Sequence, residues 1–274
     1  MKTPASGHLL TIDTGNTNTV LGVHNPDGRV IHAWRFASDL RRTEDEYVVL
    51  LRQLEQDDAS PPVDFKGACL CSVVPPLTPV LRRAVQRVHG IEPLVLESST
   101  RLNVRNRYGH PEEVGADRLA NAAGGRDRYG VPLIIVDFGT ATTLDVVSAR
   151  GDYLGGCILP GIETSAEALF RRTAKLPRIS PERPPEPLGR TTIESIQSGL
   201  FYGAVDAVDG LIERLRATTG EDAPVIATGG LAQTFVGFSK YIREADPHLT
   251  LHGLWVIWHL NAPRRGRAKT HRRS

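Results

Sequence analysis

The side chains best suited to chemistry sit in two turns of the same make, "DTGNTNTV" at 13–20 and "DFGTATT" at 137–143, each entered from an apolar run. In a glycine-containing turn, successive backbone N–H groups converge on an anion such as phosphate. An aspartate beside them offers hard oxygens to the accompanying cation. A nucleoside triphosphate with its metal ion meets both demands. The same residue types also build turns that do no chemistry, because Gly and Asn tolerate positive φ while Asp and Thr bond local backbone. For Asn16 and Thr17 both roles can hold.

The two turns are related. Asp13 matches Asp137, Gly15 matches Gly139 and Thr19 matches Thr143, all at one offset of 124 residues. The match runs on, with "NPDG" at 25–28 leading into "RVIHAWRF" and "ARGD" at 149–152 leading into "YLGGCIL". Each half reads as a three-strand meander displaying an Asp-x-Gly tip, which implies a duplicated domain with a site between the copies.

The elements around the tips follow from pattern. "TEDEYVVLLRQLEQ" predicts a helix capped by Thr43 with Glu46 as its reciprocal partner. "GACLCSVVP" reads as a buried strand, "LTPVLRRAVQRVHG" as a helix ended by Gly90, and "EPLVLES" as a strand. A helix beginning near Gly115 leads into the second copy. "GIETSAEALFRRTA" then predicts another helix, the proline-rich "KLPRISPERPPEPLGR" an irregular segment, "TIESIQSGLFYGAVDAVDGLIERLRA" the longest helix, and "APVIATGGLA" a strand entering a glycine turn.

Composition removes several function classes. The net charge of +2 arises in "NAPRRGRAKTHRRS" at 261–274, with six Arg or Lys and no acid; the body keeps 27 basic against 31 acidic residues, a net of −4. The body is therefore not a polyanion binder, and the basic tail is expected to be solvated and disordered. Neither a bilayer span nor a signal peptide is evident, so a cytoplasmic protein without membrane or nucleic-acid partners is expected. Cys69, Cys71 and Cys157 fit neither a zinc site nor a disulfide framework and are expected to be reduced thiols. None of the five lysines follows Gly in a Gly-Lys-Ser/Thr loop, so any triphosphate must be held by the paired tips.

"DTGNT" at 13–17, "GADR" at 115–118, "DFGTATT" at 137–143, "GGCILPG" at 155–161 and "TGG" at 228–230 together resemble the motif series of type III pantothenate kinases, of the acetate and sugar kinase, heat-shock ATPase and actin superfamily. The resemblance implies an α/β chain of two duplicated actin-like (ribonuclease H-like) ATPase domains, with mixed five-stranded sheets and a cleft between them. Its expected divisions are an N-terminal domain at 1–125, a C-terminal domain at 126–260 and the tail at 261–274. It also implies ATP-dependent phosphorylation of pantothenate, the first step of coenzyme A synthesis, by a homodimer using Mg²⁺ and a monovalent cation, K⁺ or NH₄⁺. A kinase with another small acceptor and a non-catalytic transcriptional-activator relative of the same fold are the alternatives.

By the same resemblance, Asp13, Thr14, Gly15, Asn16, Thr17, Asn18, Thr19 and Val20 would cradle the ATP phosphates, Asp13 facing Mg²⁺ through water. Asp137 would bind the monovalent cation, Thr140 would contact ATP, and Gly229 and Gly230 would admit the adenosine. Asp117 would accept the proton of the acceptor hydroxyl, while Tyr108, Gly115, Ala116, Arg118 and Thr192 would complete the acceptor site with it.

The residues add expectations of their own. The dipole of a helix starting at Gly115 should lower the Asp117 pKa, leaving position rather than basicity as its contribution. Arg118 suits a carboxylate or phosphate through its planar fork, with a surface pair to Glu112 or Glu113 as the alternative. His110 stands where Asn or Asp is more usual in the family. Thr191 and Glu194 form a capping box, so the threonine pair can also serve only to start the long helix. Gly199 and Gly203, four apart on that helix, suit either internal packing or a two-fold helix contact.

Overall fold

The computed structural model describes residues 7–57 and 63–262; the basic tail from 263 onward lies outside the described residues. The chain begins with β1 (His8–Thr14), β2 (Asn18–His24), β3 (Val30–Ala37), α1 (Glu44–Asp57), β4 (Phe65–Ser72), α2 (Leu77–His89) and β5 (Leu94–Val95). A two-residue β6 (Arg105–Asn106) and α3 (Ala116–Tyr129) follow. The second copy comprises β7 (Leu133–Phe138), β8 (Ala141–Val147), β9 (Asp152–Pro160), α4 (Ile162–Arg172), α5 (Thr192–Thr219), β10 (Val225–Thr228), α6 (Ala232–Phe235), β11 (Glu244–Ala245) and α7 (Leu249–Asn261).

Both sheets are mixed and share one topology. The first runs β3-β2-β1-β4-β5; the second runs β11-β10-β7-β8-β9, with β6 added outside β9 as a sixth strand. Strands β1 and β7 carry unbroken runs of buried residues, at 9–12 and 133–136, because each lies inside its sheet. Strand β3, at an edge, alternates half-buried with exposed positions instead. Helix α1 is capped as its sequence predicts, with Thr43 N–H donating to Glu46 Oε2 at 2.7 Å. Helix α2 ends at Gly90 with φ 67°, and α5 opens with the complete Thr191–Glu194 capping box. Of "EPLVLES" only two residues form a strand.

The duplication is closer than one constant offset suggests. Asp13 lies opposite Val20 and Asp137 opposite Thr143, so the first tip is one residue longer and the copies stand 123 residues apart beyond it. Thr19 therefore corresponds to Thr142, not Thr143. Likewise "NPDG" matches 148–151 rather than 149–152: Gly28 N–H donates to Asn25 O at 3.0 Å, as Gly151 N–H does to Ser148 O at 2.8 Å, with φ 85° and 74°. A register shift follows at matching positions, between Val23 and His24 and between Val146 and Val147.

Helices α3 and α7 lie between the sheets and pack against each other. Helix α7 covers β1 and β4 of the first sheet, while α3 leans on β7 and β8 of the second as well as on β4. Each copy thus ends in a helix seated on the other copy's sheet. Their approach is close: a Cβ on Gly124 would come within 2.6 Å of the Leu249 carbonyl oxygen, and one on Gly253 would overlap the carbonyl of Ala120. Helix α7 buries Leu249, Leu251, Leu254, Val256 and Ile257, so it has no broad polar face to betray it in sequence. No helix among the described residues is long and apolar enough to cross a membrane. The three cysteines are free, Cys69 and Cys71 being buried.

Candidate active site

The two tips meet. Gly15 N–H donates to Asn18 O at 3.0 Å in the first and Gly139 N–H to Ala141 O at 3.1 Å in the second, and the Thr17 and Thr140 hydroxyls bond each other across the gap at 2.9 Å. Behind that contact lies a cavity of about 320 Å³. It is lined from the first copy by Asp13, Gly15, Asn16, Thr17, Asn18 and Val20, and from the second by Asp137, Gly139, Thr140, Gly229 and Gly230, with Asp117 entering at the start of α3. Thr14 and Thr19 are buried behind the tip and do not line the cavity. Thr19 bonds the Ser38 hydroxyl at 2.9 Å, while the Thr14 carbonyl accepts from Val73 N–H. Gly229, at φ 91°, leaves room for the Asp137 carboxylate, which a side chain there would strike.

The cavity gathers negative charge. Burial, then the charge of Asp117, lifts Asp13 to about 6, against a smaller opposing effect of a Cys71 Sγ hydrogen bond at 3.2 Å. Burial raises Asp137 to about 7, reinforced by Asp117, Asp13 and Asp145 and opposed by Asn121. Asp117 is raised as well, mainly by burial. This overturns the lowered value expected from the helix dipole: the Arg118 N–H does bond Asp117 Oδ1, at 2.8 Å, but loss of solvent outweighs it. Carboxylates that repel one another while shielded from water fit cations. Among the described residues no three His, Cys, Asp or Glu stand close enough to hold an ion alone, so Mg²⁺ or K⁺ here would share ligands with phosphate and water.

The segment 115–118, expected from the sequence to hold an acceptor, is built beside this cavity. Gly115 caps α3 without a side chain, and a Cβ there would come 2.5 Å from Asp117 Oδ1, so its absence lets the carboxylate fold over the helix start. Ala116 begins the helix, packed against the core under β4. Arg118 pairs with neither Glu112 nor Glu113. Its Nε donates to Asp145 Oδ1 at 2.8 Å, and Nη2, 2.7 Å from the same oxygen, is buried without a well-aligned acceptor. The fully buried Asp145 also accepts from Tyr153 Oη at 2.7 Å and Thr143 Oγ1 at 3.0 Å. The Tyr108 ring lies 6.5 Å from that of Tyr153, which places Tyr108 with the same cluster. His110 is exposed, 3.9 Å from Glu112. Thr192 lies apart from the cavity, in an open groove of about 760 Å³ shared with Leu169, Arg190, Gly199 and Leu200.

Several residues emerge only from the structure. Asn121, one turn beyond Asp117, is fully buried and donates to Asp137 Oδ2 at 2.8 Å while accepting from Thr250 Oγ1 at 2.7 Å. It ties the second tip to both crossing helices. Asp145 was legible as a carboxylate within the apolar "TLDVV", where burial requires a partner. Arg35 and Glu163 also line the cavity, and nothing in the local pattern of either marks it.

Duplicated lobes presenting matched aspartate tips to one cavity define the actin-like class of fold. Solved structures of that shape include a putative Baf family transcriptional activator from Campylobacter jejuni, 18% identical, covering 92% of this chain and 98% of its own, with a TM-score of 0.58. A putative N-acetylmannosamine kinase from Listeria monocytogenes is 11% identical over 93% of this chain and 99% of its own, with a TM-score of 0.53. At such identity they establish the fold alone. Residues 9–214 match the family model described as type III pantothenate kinase. Proteins named type III pantothenate kinase are 46% identical in Koribacter versatilis (92% of this chain, 96% of the relative) and 45% identical in Myxococcus xanthus (92% and 98%). The chain belongs to the type III pantothenate kinase family.

Proposed function

We propose that this chain transfers the γ-phosphoryl group of ATP to the primary hydroxyl of pantothenate, giving 4'-phosphopantothenate, the first step of coenzyme A synthesis in the cytoplasm. The observation that carries this reading, given the family, is that Asp13, Asp117 and Asp137 line one cavity between two glycine-containing tips.

The tip from Asp13 to Val20 receives the phosphate chain on its backbone N–H groups and on Asn16, Thr17 and Asn18. Thr14 and Thr19 support it from behind. Thr140 meets the phosphates from the other side, and Gly229 and Gly230 admit the adenosine. Mg²⁺ held through water at Asp13 and K⁺ at Asp137 would offset the phosphate charge and the repulsion among the carboxylates. Asp117 orients the acceptor hydroxyl and takes its proton. Its raised pKa makes it a better base than an exposed aspartate, which general-base catalysis rewards. Arg118, held in place by its ion pair to Asp145, and Tyr108 hold the pantothenate carboxylate end beside Gly115 and Ala116.

Thr192 lies outside the cavity of its own chain, so contact with an acceptor would come from a second copy. A homodimer is supported by Gly199 and Gly203, where an added Cβ would meet nothing within 4 Å, so neither serves internal packing.

Release of ADP with pantothenate, pantetheine and common sugars, at saturating Mg²⁺ and K⁺, tests the assignment. Turnover is expected with pantothenate, and its absence defeats the reading. Asp117→Asn should lose roughly 10²- to 10⁴-fold in kcat while retaining ATP binding; near-normal turnover would reduce Asp117 to a helix-terminus partner.

A further inference from the structure

We propose that Arg35 is a nucleotide-binding residue, reaching from the first lobe to grip the inner phosphates of a nucleoside di- or triphosphate against the glycine turn of the second. The inference rests on the nucleotide reading of the cavity given above and adds a residue to it.

Three observations converge. Among the described residues lining the cavity, Arg35 is the single cationic side chain, facing the four carboxylates Asp13, Asp117, Asp137 and Glu163. Its placement follows from strand alternation: Trp34 and Phe36 pack toward the first lobe's core, so Arg35 projects from the opposite face, in register with Val20 of the first tip. Its head group crosses to the other lobe, with Nη1 3.1 Å from where a Cβ on Gly230 would stand.

Among the described residues the guanidinium makes no hydrogen bond and no ion pair, and its charge reaches Asp13 only as the smallest of the effects on that carboxyl. A cation in such a site is expected to be pairing with the carboxylates around it. Here the hydrogen bonds of the three aspartates go elsewhere, Asp13 to Cys71, Asp117 to the Arg118 N–H and Asp137 to Asn121. An arginine fork binds phosphate oxygens bidentately, which neither tip's backbone nor its threonines reproduce. Standing between the turn assigned to the adenosine and the tip assigned to the terminal phosphates, it suits the phosphates that join them. Because Arg35 comes from one lobe and Gly230 from the other, a nucleotide held by both would also draw the lobes together.

Calorimetric titration of ADP and of adenosine into the wild-type protein, Arg35→Met and Arg35→Lys tests this. Arg35→Met keeps the aliphatic stem and should weaken ADP roughly ten- to hundredfold, the range for a charge-assisted hydrogen bond, with adenosine affinity unchanged. Arg35→Lys should recover part of the loss, as a point charge without the fork. In steady state, KM for ATP should rise more than kcat falls, and KM for pantothenate should hold. Equal ADP affinity in wild type and Arg35→Met, or equal weakening of ADP and adenosine, overturns the role of Arg35 while leaving the nucleotide site standing. Failure of the wild-type protein itself to bind ADP overturns both.

Discussion

The burial of the cavity carboxylates, reinforced by their mutual repulsion, gives a test that needs no substrate. Asp137 stands at about 7 against an ordinary 3.8, so the folded state holds this proton more tightly than the unfolded chain does. The sign follows from linkage: a carboxyl raised on folding stabilises the protein fully below its unfolded pKa and loses that contribution as pH rises through the folded value. A shift of about three units corresponds to ~4 kcal/mol at about 1.4 kcal/mol per unit, of which roughly 3 kcal/mol disappears between about pH 5 and pH 8. Water and counterions entering the cavity screen the charge, so about half of that, on the order of 1–2 kcal/mol, is expected. For a chain of this size the corresponding change in Tm is roughly 3–6 °C. Asp137→Asn removes the charge but keeps an oxygen for Asn121. In metal-free buffer the variant should therefore lose less Tm than wild type on going from pH 5 to pH 8. Added K⁺ should raise the wild-type Tm near pH 8 and leave that of the variant unmoved. Parallel pH profiles for the two proteins would refute the claim that the ionised Asp137 carboxylate opposes folding.

Three further outcomes are expected. His24, fully buried and lowered to about 4 chiefly by burial, contributes stability above about pH 6.5 that is lost as pH falls toward its folded value; His24→Gln should flatten this acid limb in denaturant titrations. Gly253→Ala drives a methyl group into the Ala120 carbonyl and should cost about 1–3 kcal/mol in urea unfolding; an unchanged midpoint would show that the α3–α7 contact gives way freely. Gly203→Glu meets open space within the chain, so Tm of the isolated chain should hold while sedimentation shows the proposed dimer, present in the wild type, dissociating; a dimer intact in the variant would place the interface elsewhere.

How much of this was legible in the sequence depends on what each residue answers to. Asp13, Gly15, Asp137 and Gly139 announce themselves because turn chemistry is local and occurs twice. The one-residue difference between the tips was less visible, since Thr19 and Thr143 align by count while pairing depends on which residue lies opposite Asp13 or Asp137. Gly28 and Gly151, 123 apart, carried that signal. Helix α7 escaped because its burial between the lobes leaves no polar stripe of helical period. The Asp117 pKa was misjudged because the dipole is a local property of the helix start, whereas desolvation depends on what the rest of the chain packs around it. Arg35 could not be singled out: one arginine in an alternating strand looks solvated until the opposite lobe is in place.

The crossing of the terminal helices has a consequence for biosynthesis. Strand β1 is made first, yet the surface it needs covered is supplied by α7, some 240 residues later in translation. The amino-terminal half therefore leaves the ribosome with an apolar flank bare, and it waits for the closing stretch of the polypeptide before it can mature. Nascent chains stalled short of Leu249 should remain protease-sensitive in both halves, and supplying the missing helix as a separate peptide should restore resistance.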